Sequence, residues 1–478
     1  MRNRILVIGS GVGGCTIANE LSKENDVTVI ECGPKSGHQI PNKIYLAEEL
    51  GSTPTYCKGL GGTSNLWHNG LIELPSHDIE HPEFRDLLEK SNPYINQGAK
   101  SLNFKGDYLH VRNKIRREYE KVTDDIFSSK EISLDTIVVP ENYAPLTLND
   151  SILTYFNTDI ERFEFDVDGN VKGVEIRIEH KSRKLSFDTL IICGGGIGTP
   201  YILSQLVQDK YGKDIVTTIG QGFIDHPMGF LGKIRVRKEK VEAFKKLVST
   251  KFENCQARCG LKLSVDGLNH ICYFRPAFSM TNDLGIYKFK SRLGSSTLKE
   301  RMKFLFDRKI YHPDILQEIW LHFTGKQIKS EVYAIWVVFE QRGRKDNFIS
   351  VKDKDQIRWS ISEKELNNYS QTLQTINELL SSVAKEINFV QSDLRDFLWS
   401  AAHHSSTVPM DNDIGNVNNE LKVNGFDNVF VCDGSIIQNH SYTNTGLTIA
   451  QLAHWLADNI NKNKNKNKNK NNNWNKDR

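Results

Sequence analysis

Residues Arg4–Gly14, RILVIGSGVGG, decide the fold. The apolar run Ile5–Ile8 ends in Gly9, and Gly9, Gly11 and Gly14 give the spacing GxGxxG, after which Cys15–Lys23 continues as a helix. A second short apolar run, Val27–Ile30, ends at Glu31. The glycines, with Val12 between them, let the backbone turn tightly and approach a pyrophosphate whose charge sits at a helix N-terminus. Glu31, about 20 residues on, is placed to accept a hydrogen bond from a ribose hydroxyl. The pattern marks a dinucleotide site and leaves NAD and FAD both open.

Working outward, the 478 residues are enough for two or three domains with sizeable cores. No apolar run approaches the roughly 20 residues of a membrane span, and Ile5–Ile8 is too short for a secretory h-region, so a cytoplasmic location is expected. The eight cysteines are scattered. Only Cys255 and Cys259 lie close together, with no Cys/His pair at metal-site spacing, so reduced structural thiols are expected and no metal site. The formal charge of +3 misleads, because Asn461–Arg478 holds six lysines, one arginine and one aspartate. The body is mildly acidic and offers no basic face for nucleic acid. The tail itself is low-complexity Lys/Asn sequence and is expected to be disordered.

Thr154–Phe165, Val171–Ile178 and Leu185–Cys193 read as strands, with Asp166–Asn170 a turn. From about Gly229 to Ser400 the texture becomes antiparallel, with long strands at Asn269–Phe278 and Glu331–Gln341 and short ones at Phe348–Val351 and Gln356–Ile361. The stripe Leu366, Tyr369, Leu373, Ile376, Leu380, Val383 and Ile387 marks an amphipathic helix lying on that sheet. Asn428–Asp433 is a buried-type strand and Leu447–Ile460 a helix. The boundaries that follow are a nucleotide-binding domain in three pieces (1–75, 140–227 and 401–461), a helical connection at 76–139, an inserted substrate domain at 228–400 and the tail 462–478.

Several separated segments resemble the glucose–methanol–choline oxidoreductases, an FAD-dependent family. Gly9–Gly14 with Glu31 is similar to the family's dinucleotide fingerprint, and Gly59–Asn69 (GLGGTSNLWHN) to its GGxS segment beside the flavin. Gly195–Leu203 (GGIGTPYIL) resembles the second family signature, Gly220–Pro227 (GQGFIDHP) its GxxLxDHP turn, and His403–Thr407 (HHSST) its HxxGT. Asp433–Thr448 resembles the terminal DxS…NPxxT segment. The resemblance spans residues 1 to about 460 in the family's order. It implies the fold class α/β: a discontinuous Rossmann-like FAD-binding domain with an inserted α+β substrate domain built on an antiparallel sheet.

The resemblance also assigns roles. It implies His403 as the base and Asn444 as the second polar partner, with cofactor contacts from Gly9, Gly11, Val12, Gly14, Glu31, Gly61, Gly62, Thr63, Asn65, Leu66, Asp433, Gly434 and Thr445. The chemistry agrees with these residue types. Oxidising an alcohol needs a base for the hydroxyl proton, a hydride acceptor and a donor to the oxygen as charge develops. Histidine titrates near neutrality, flavin takes hydride, and an asparagine amide donates without adding charge. Leu66 stands where some family members attach FAD through histidine, so the expected FAD is non-covalent, and His68 is not expected to substitute. His404 reads as structural. His440 either reaches the pocket or supports the loop. Ser406 replaces the family's usual glycine, and Thr445-Gly446 its proline-containing step. The expected activity is oxidation of a small-molecule alcohol, sugar, polyol or glycoside, with no electron acceptor assigned. The alternatives are a lyase of the same fold using FAD without net redox, an NAD(P)-dependent dehydrogenase, and a flavin-bearing accessory subunit. Trp320, His322, Phe323 and Trp336 are candidates to line a sugar-sized cavity or to pack a core.

Overall fold

The computed structural model describes residues 2–40, 55–67, 69–127, 132–141, 144–287, 289, 307–324, 330–351 and 357–474. Five parallel strands form its first layer, in the order Val429–Val431, Thr189–Ile192, Arg4–Ile8, Asp26–Ile30, Leu153–Tyr155. Arg4–Ile8 is central, and Ile5 to Ile8 are buried, as a parallel strand covered on both faces requires. The helices Val12–Leu21 and Thr445–Trp474 pack together on one side. The meander Thr158–Phe165, Val171–Ile178, Lys181–Ser186 and the helix Gly195–Tyr211 complete this domain. The sheet thus draws on chain segments more than 400 residues apart, and the expected Rossmann-like, discontinuous α/β domain is present.

Backbone packs closely against two glycines of the turn. Gly9 has φ of 99°, and a Cβ there would lie 2.3 Å from the Cys193 carbonyl oxygen. A Cβ on Gly14 would lie 2.0 Å from the Gly9 carbonyl oxygen. The strand–turn–helix corner therefore depends on residues without side chains.

The second layer is an eight-stranded antiparallel sheet. Its main path runs Thr250–Phe252, Cys255–Val265, Leu268–Ala277, Val332–Val338, Pro227–Val236, Ala384–Phe389. Alternation sorts its faces. Cys255, Ala257, Cys259, Leu261, Cys272, Phe274, Tyr333, Ile335 and Val337 join the core under the helices Val241–Val248 and Glu363–Leu380. The intervening residues face the first layer. The longer helix is started by Ser362 and Glu365, which satisfy each other's backbone N–H groups in a capping box.

Four local readings are adjusted. Ser133–Pro140, within the stretch expected to be helical, pairs with Cys255–Val265 along eight residue pairs and enlarges the antiparallel sheet. Leu185–Cys193 is not one strand: Lys181–Ser186 ends the meander and Thr189–Ile192 enters the parallel sheet. Between them the Asp188 carboxylate accepts from the backbone and guanidinium of Arg4. The amphipathic stripe leaves its helix at Leu380, so that Ile387 lies on the edge strand Ala384–Phe389. The Lys/Asn run expected to be disordered has helical backbone to Trp474. Propagating a helix already nucleated by a packed segment fixes one residue per added bond. No helix among the described residues is long and apolar enough to cross a membrane.

Gly9→Ala is expected to destabilise the protein by about 2–5 kcal/mol, combining left-handed strain with overpacking against the Cys193 carbonyl. Urea unfolding checks this, and a midpoint matching wild type would show that the corner tolerates a methyl group.

Candidate active site

The two layers enclose a cleft of about 1650 Å³, larger than the ~300–1000 Å³ of ordinary small-molecule sites. One end is the glycine turn. Gly9, Ser10, Gly11, Val12 and Gly13 line it, and a Cβ on Gly11 would meet nothing within 4 Å. The helix starting at Val12 has Gly11 as its N-cap and no side-chain cap. Its first N–H groups therefore suit an anion arriving from the cleft, as a dinucleotide pyrophosphate would. Glu31 also lines this end, but its carboxylate is heavily used. It accepts from the Ser10 backbone at 2.9 Å and hydroxyl at 2.8 Å, and from the Gly33 and Gly59 backbones at 2.8 and 3.2 Å. In this structure Glu31 ties three loops together.

The segment Gly59–Trp67 forms the next wall. Gly62–Leu66 is a single 3₁₀ turn, and Gly62, Thr63, Ser64, Leu66 and Trp67 face the cleft. Asn65 and Gly61 do not. The Asn65 amide donates to the Leu60 and Gly62 carbonyls and braces the turn from behind. Gly14 likewise packs into the corner and is not part of the lining. Opposite stand Asp433 and Gly434. The Asp433 carboxylate accepts from the Gly195 backbone and the Thr199 hydroxyl on one oxygen and from Ser435 on the other. It thereby joins two motifs more than 230 residues apart, and its burial pushes its carboxyl above the usual range. His68 lies outside the described residues.

The far end carries a chain of imidazoles. His226, fully buried, has its Nε2 2.8 Å from the Ser441 carbonyl oxygen and its Nδ1 2.8 Å from Nδ1 of His403. A carbonyl only accepts, so His226 carries its proton on Nε2. Its Nδ1 is then the acceptor, because burial holds its pKa well below the ordinary value. His403 must donate from Nδ1, which leaves its Nε2 with the lone pair on a residue that lines the cleft. The His403 pKa is lowered to about 4, chiefly by burial and partly by His404, against the opposing pull of Asp225. His403 is therefore a neutral base at ordinary pH.

Asp225 anchors both rings, accepting from the His226 and His403 backbone N–H groups and from the Ser400 hydroxyl. Ala402 and Ser406, on either side, have φ of 62° and 61°. Ser406 thus holds the left-handed conformation that a glycine would supply at that position. His404 is buried with its Nε2 3.9 Å from Asp225, and its backbone carbonyl packs against Gly196 and Gly434. It also lines the cleft beside His403. His440 is buried beneath His226, ring centroids 3.8 Å apart, and does not line the cleft. The backbone of Ser441 and of His403 lies close enough to its ring to offset part of the effect of burial.

Asn444, Thr445 and Gly446 line the cleft at the start of the helix Thr445–Trp474. The Asn444 amide nitrogen donates one proton to the Gly70 carbonyl at 3.0 Å, which orients the group and leaves its second N–H available. Gly446 is glycine for a packing reason: a Cβ there would lie 2.2 Å from the Trp67 ring. The remaining wall is the inner face of the antiparallel sheet, with Met228, Phe230, Gln256, Arg258, Tyr273, Arg275, Trp336 and Val338. Of the aromatic candidates, Trp336 is in the cleft, whereas Trp320 is half exposed on its helix and is absent from the lining. Sequence reasoning quoted His226 within its motif without giving it a role, and missed the two arginines. His226 was legible only through the proton logic of its two neighbours.

Comparison with known proteins places these features. The C-terminal GMC oxidoreductase family model matches residues 345–453. An uncharacterised protein of Methanocaldococcus jannaschii is 28% identical over 221 residues, 44% of this chain and 53% of that protein. An uncharacterised GMC-type oxidoreductase of Rhodococcus erythropolis is 20% identical over 292 residues, 46% of this chain and 58% of its own length. The chain spans little more than half the length of these curated relatives. Pyridoxine 4-oxidase from Mesorbium loti superposes with a TM-score of 0.56 at 13% identity, over 96% of this chain and 99% of that one, and so shares the fold.

The pKa of His440 is lowered to about 3, chiefly by burial. An unfolded imidazole takes up its proton near 6.5, so below that pH the unfolded chain binds more protons and stability falls as pH drops toward 3. His440→Gln should flatten the pH dependence of unfolding free energy between pH 4 and 6 by about 1 kcal/mol per pH unit. Urea titrations at several pH values read the slope, and an unchanged slope would mean that His440 is charged in the fold.

Proposed function

We propose that this chain is an FAD-dependent oxidoreductase of the GMC type that oxidises a CH–OH group of a small molecule, a reading supported by the family model over residues 345–453 and by the shared fold. The observation that carries the reading is the imidazole chain, which leaves Nε2 of His403 unprotonated beside the cleft. The residues fit the cofactor: the Gly9–Gly13 turn and the helix after it would hold the pyrophosphate. The Gly62–Leu66 turn, Asp433, Gly434 and the N-terminus of the helix at Thr445 would border the ring. Leu66 offers no atom for a covalent link, so the cofactor is held non-covalently. Bound there, FAD supplies the hydride acceptor that no side chain provides.

The chain's own residues do the rest. His403 Nε2 takes the hydroxyl proton, and its Nδ1–H is held by His226 so that the ring keeps its tautomer and orientation. The resulting imidazolium is stabilised through the same bond, as His226 is fixed in turn by the Ser441 carbonyl. The free N–H of Asn444 holds the substrate oxygen as charge develops. Trp67 and the sheet face wall the site.

Denaturing the purified protein should release yellow FAD into the supernatant. A colourless protein that cannot be reconstituted with FAD would end this reading. Anaerobic bleaching by substrate separates it from a lyase that holds FAD without net redox. His403→Ala should retain flavin and lose roughly 10²- to 10⁴-fold in reduction rate, and Asn444→Ala roughly 10²-fold. His226→Leu should lower kcat and shift its pH profile with KM little changed, whereas His226→Gln, which can still accept a hydrogen bond, should recover part of the loss. Equal effects of the two substitutions would remove the tautomer-setting role from His226.

A further inference from the structure

The inner face of the antiparallel sheet presents three donors without acceptors among the described residues, Arg258, Tyr273 and Trp336. Leu261 pairs with Cys272 on adjacent strands, and Arg258 and Arg275 lie three residues beyond that pair on the same two strands. Both line the cleft. Like charges on neighbouring strands of one face repel. Arg258 makes no hydrogen bond or ion pair among the described residues. Its side chain is accessible from the cleft yet walled in by protein, and its pKa is lowered by burial and by Arg275. Arg275 lies 6.0 Å from the Phe230 ring centroid.

Two more donors point the same way. The Tyr273 hydroxyl and the Trp336 indole nitrogen are buried and have no hydrogen-bond partner among the described residues, and both residues line the cleft. Burial holds the Tyr273 phenol well above its ordinary pKa, so it remains a neutral donor. Among the residues named on this face, Gln256 alone adds a side-chain carbonyl, and none is a carboxylate. Buried donors left unmade are costly, and a guanidinium beside them matches an oxyanion in charge and geometry.

From this face we infer that the substrate carries, besides the hydroxyl that is oxidised, an oxyanion (a carboxylate or a phosphate) bound by Arg258 together with Tyr273 and Trp336. This deepens the reading above and rests on it for the identity of the reacting group. It also orients the substrate: the anion docks on the sheet, and the hydroxyl is left toward His403 and Asn444 at the other wall of the same cleft.

The test compares glycerol, glycerate and glycerol phosphate, together with inorganic sulfate, by calorimetry on the FAD-loaded and the flavin-free chain. Glycerate or glycerol phosphate should bind at least about tenfold more tightly than glycerol, and whichever does so identifies the anion. Sulfate should bind and compete with it. Arg258→Gln should abolish the preference and the sulfate binding without weakening glycerol binding or lowering the thermal midpoint, since Arg258 makes no hydrogen bond or ion pair among the described residues and its removal relieves the repulsion with Arg275. Arg342→Gln, at a surface ion pair with Glu80, should change neither. No preference in the wild type, or a preference that survives in Arg258→Gln, overturns the inference. A chain that takes up no FAD yet binds sulfate through Arg258 sinks the flavin reading and keeps the anion site. A yellow, substrate-reducible protein indifferent to anions does the reverse.

Discussion

One hydrogen bond sets the polarity of the whole imidazole wall: His226 Nε2–H to the Ser441 carbonyl. A backbone carbonyl cannot donate, so every proton beyond it is determined in sequence, through His226 to His403 and out to the cleft. Charging any ring in this chain would require burying a cation among imidazoles, which burial strongly disfavours. Before any proton arrives the wall is therefore neutral and directional, and the carboxylate of Asp225 binds the backbone of both residues instead of either imidazole nitrogen. Asp225 fixes position while Ser441 fixes protonation, and the two roles fall to different residues.

The same division runs through the cofactor end. Glu31 and Asp433 are acids beside the cleft, and each spends its oxygens on backbone N–H groups of separate loops. Such carboxylates make the glycine-rich walls rigid without side chains that would fill the space a dinucleotide needs. Glycine gives room and acid gives stiffness. Asn65 does the second job by its amide, which explains why a residue inside a cofactor-binding motif faces away from the cleft.

Much of this was legible from the chain. The strand–glycine–helix start, the acid ending the second strand, the antiparallel texture after Gly229 and the separated motifs all fell where the structure has them. What was not legible depended on partners remote in sequence. Ser133–Pro140 reads as part of a helical stretch until its eight pairs with Cys255–Val265 are seen. His226 looks like a turn residue until Ser441 and His403 are placed on either side of it. Arg258 and Arg275 look like ordinary polar positions of alternating strands, because alternation says which side a residue faces and not what lies across from it. Ser406 was readable as a departure from a glycine, but its left-handed backbone shows why that position had a glycine to depart from.

The order of strands in the parallel sheet has a consequence for biogenesis. Thr189–Ile192 is flanked on one side by Arg4–Ile8, already made, and on the other by Val429–Val431, which leaves the ribosome more than 200 residues later. At ~5–20 residues per second, that edge waits for tens of seconds with its N–H and C=O groups unpaired. The nascent protein thus passes through a long interval as an incomplete half-sandwich exposed to mispairing. The closing strand arrives next to the very loops that finish the cleft, so the sheet and the cleft are completed together.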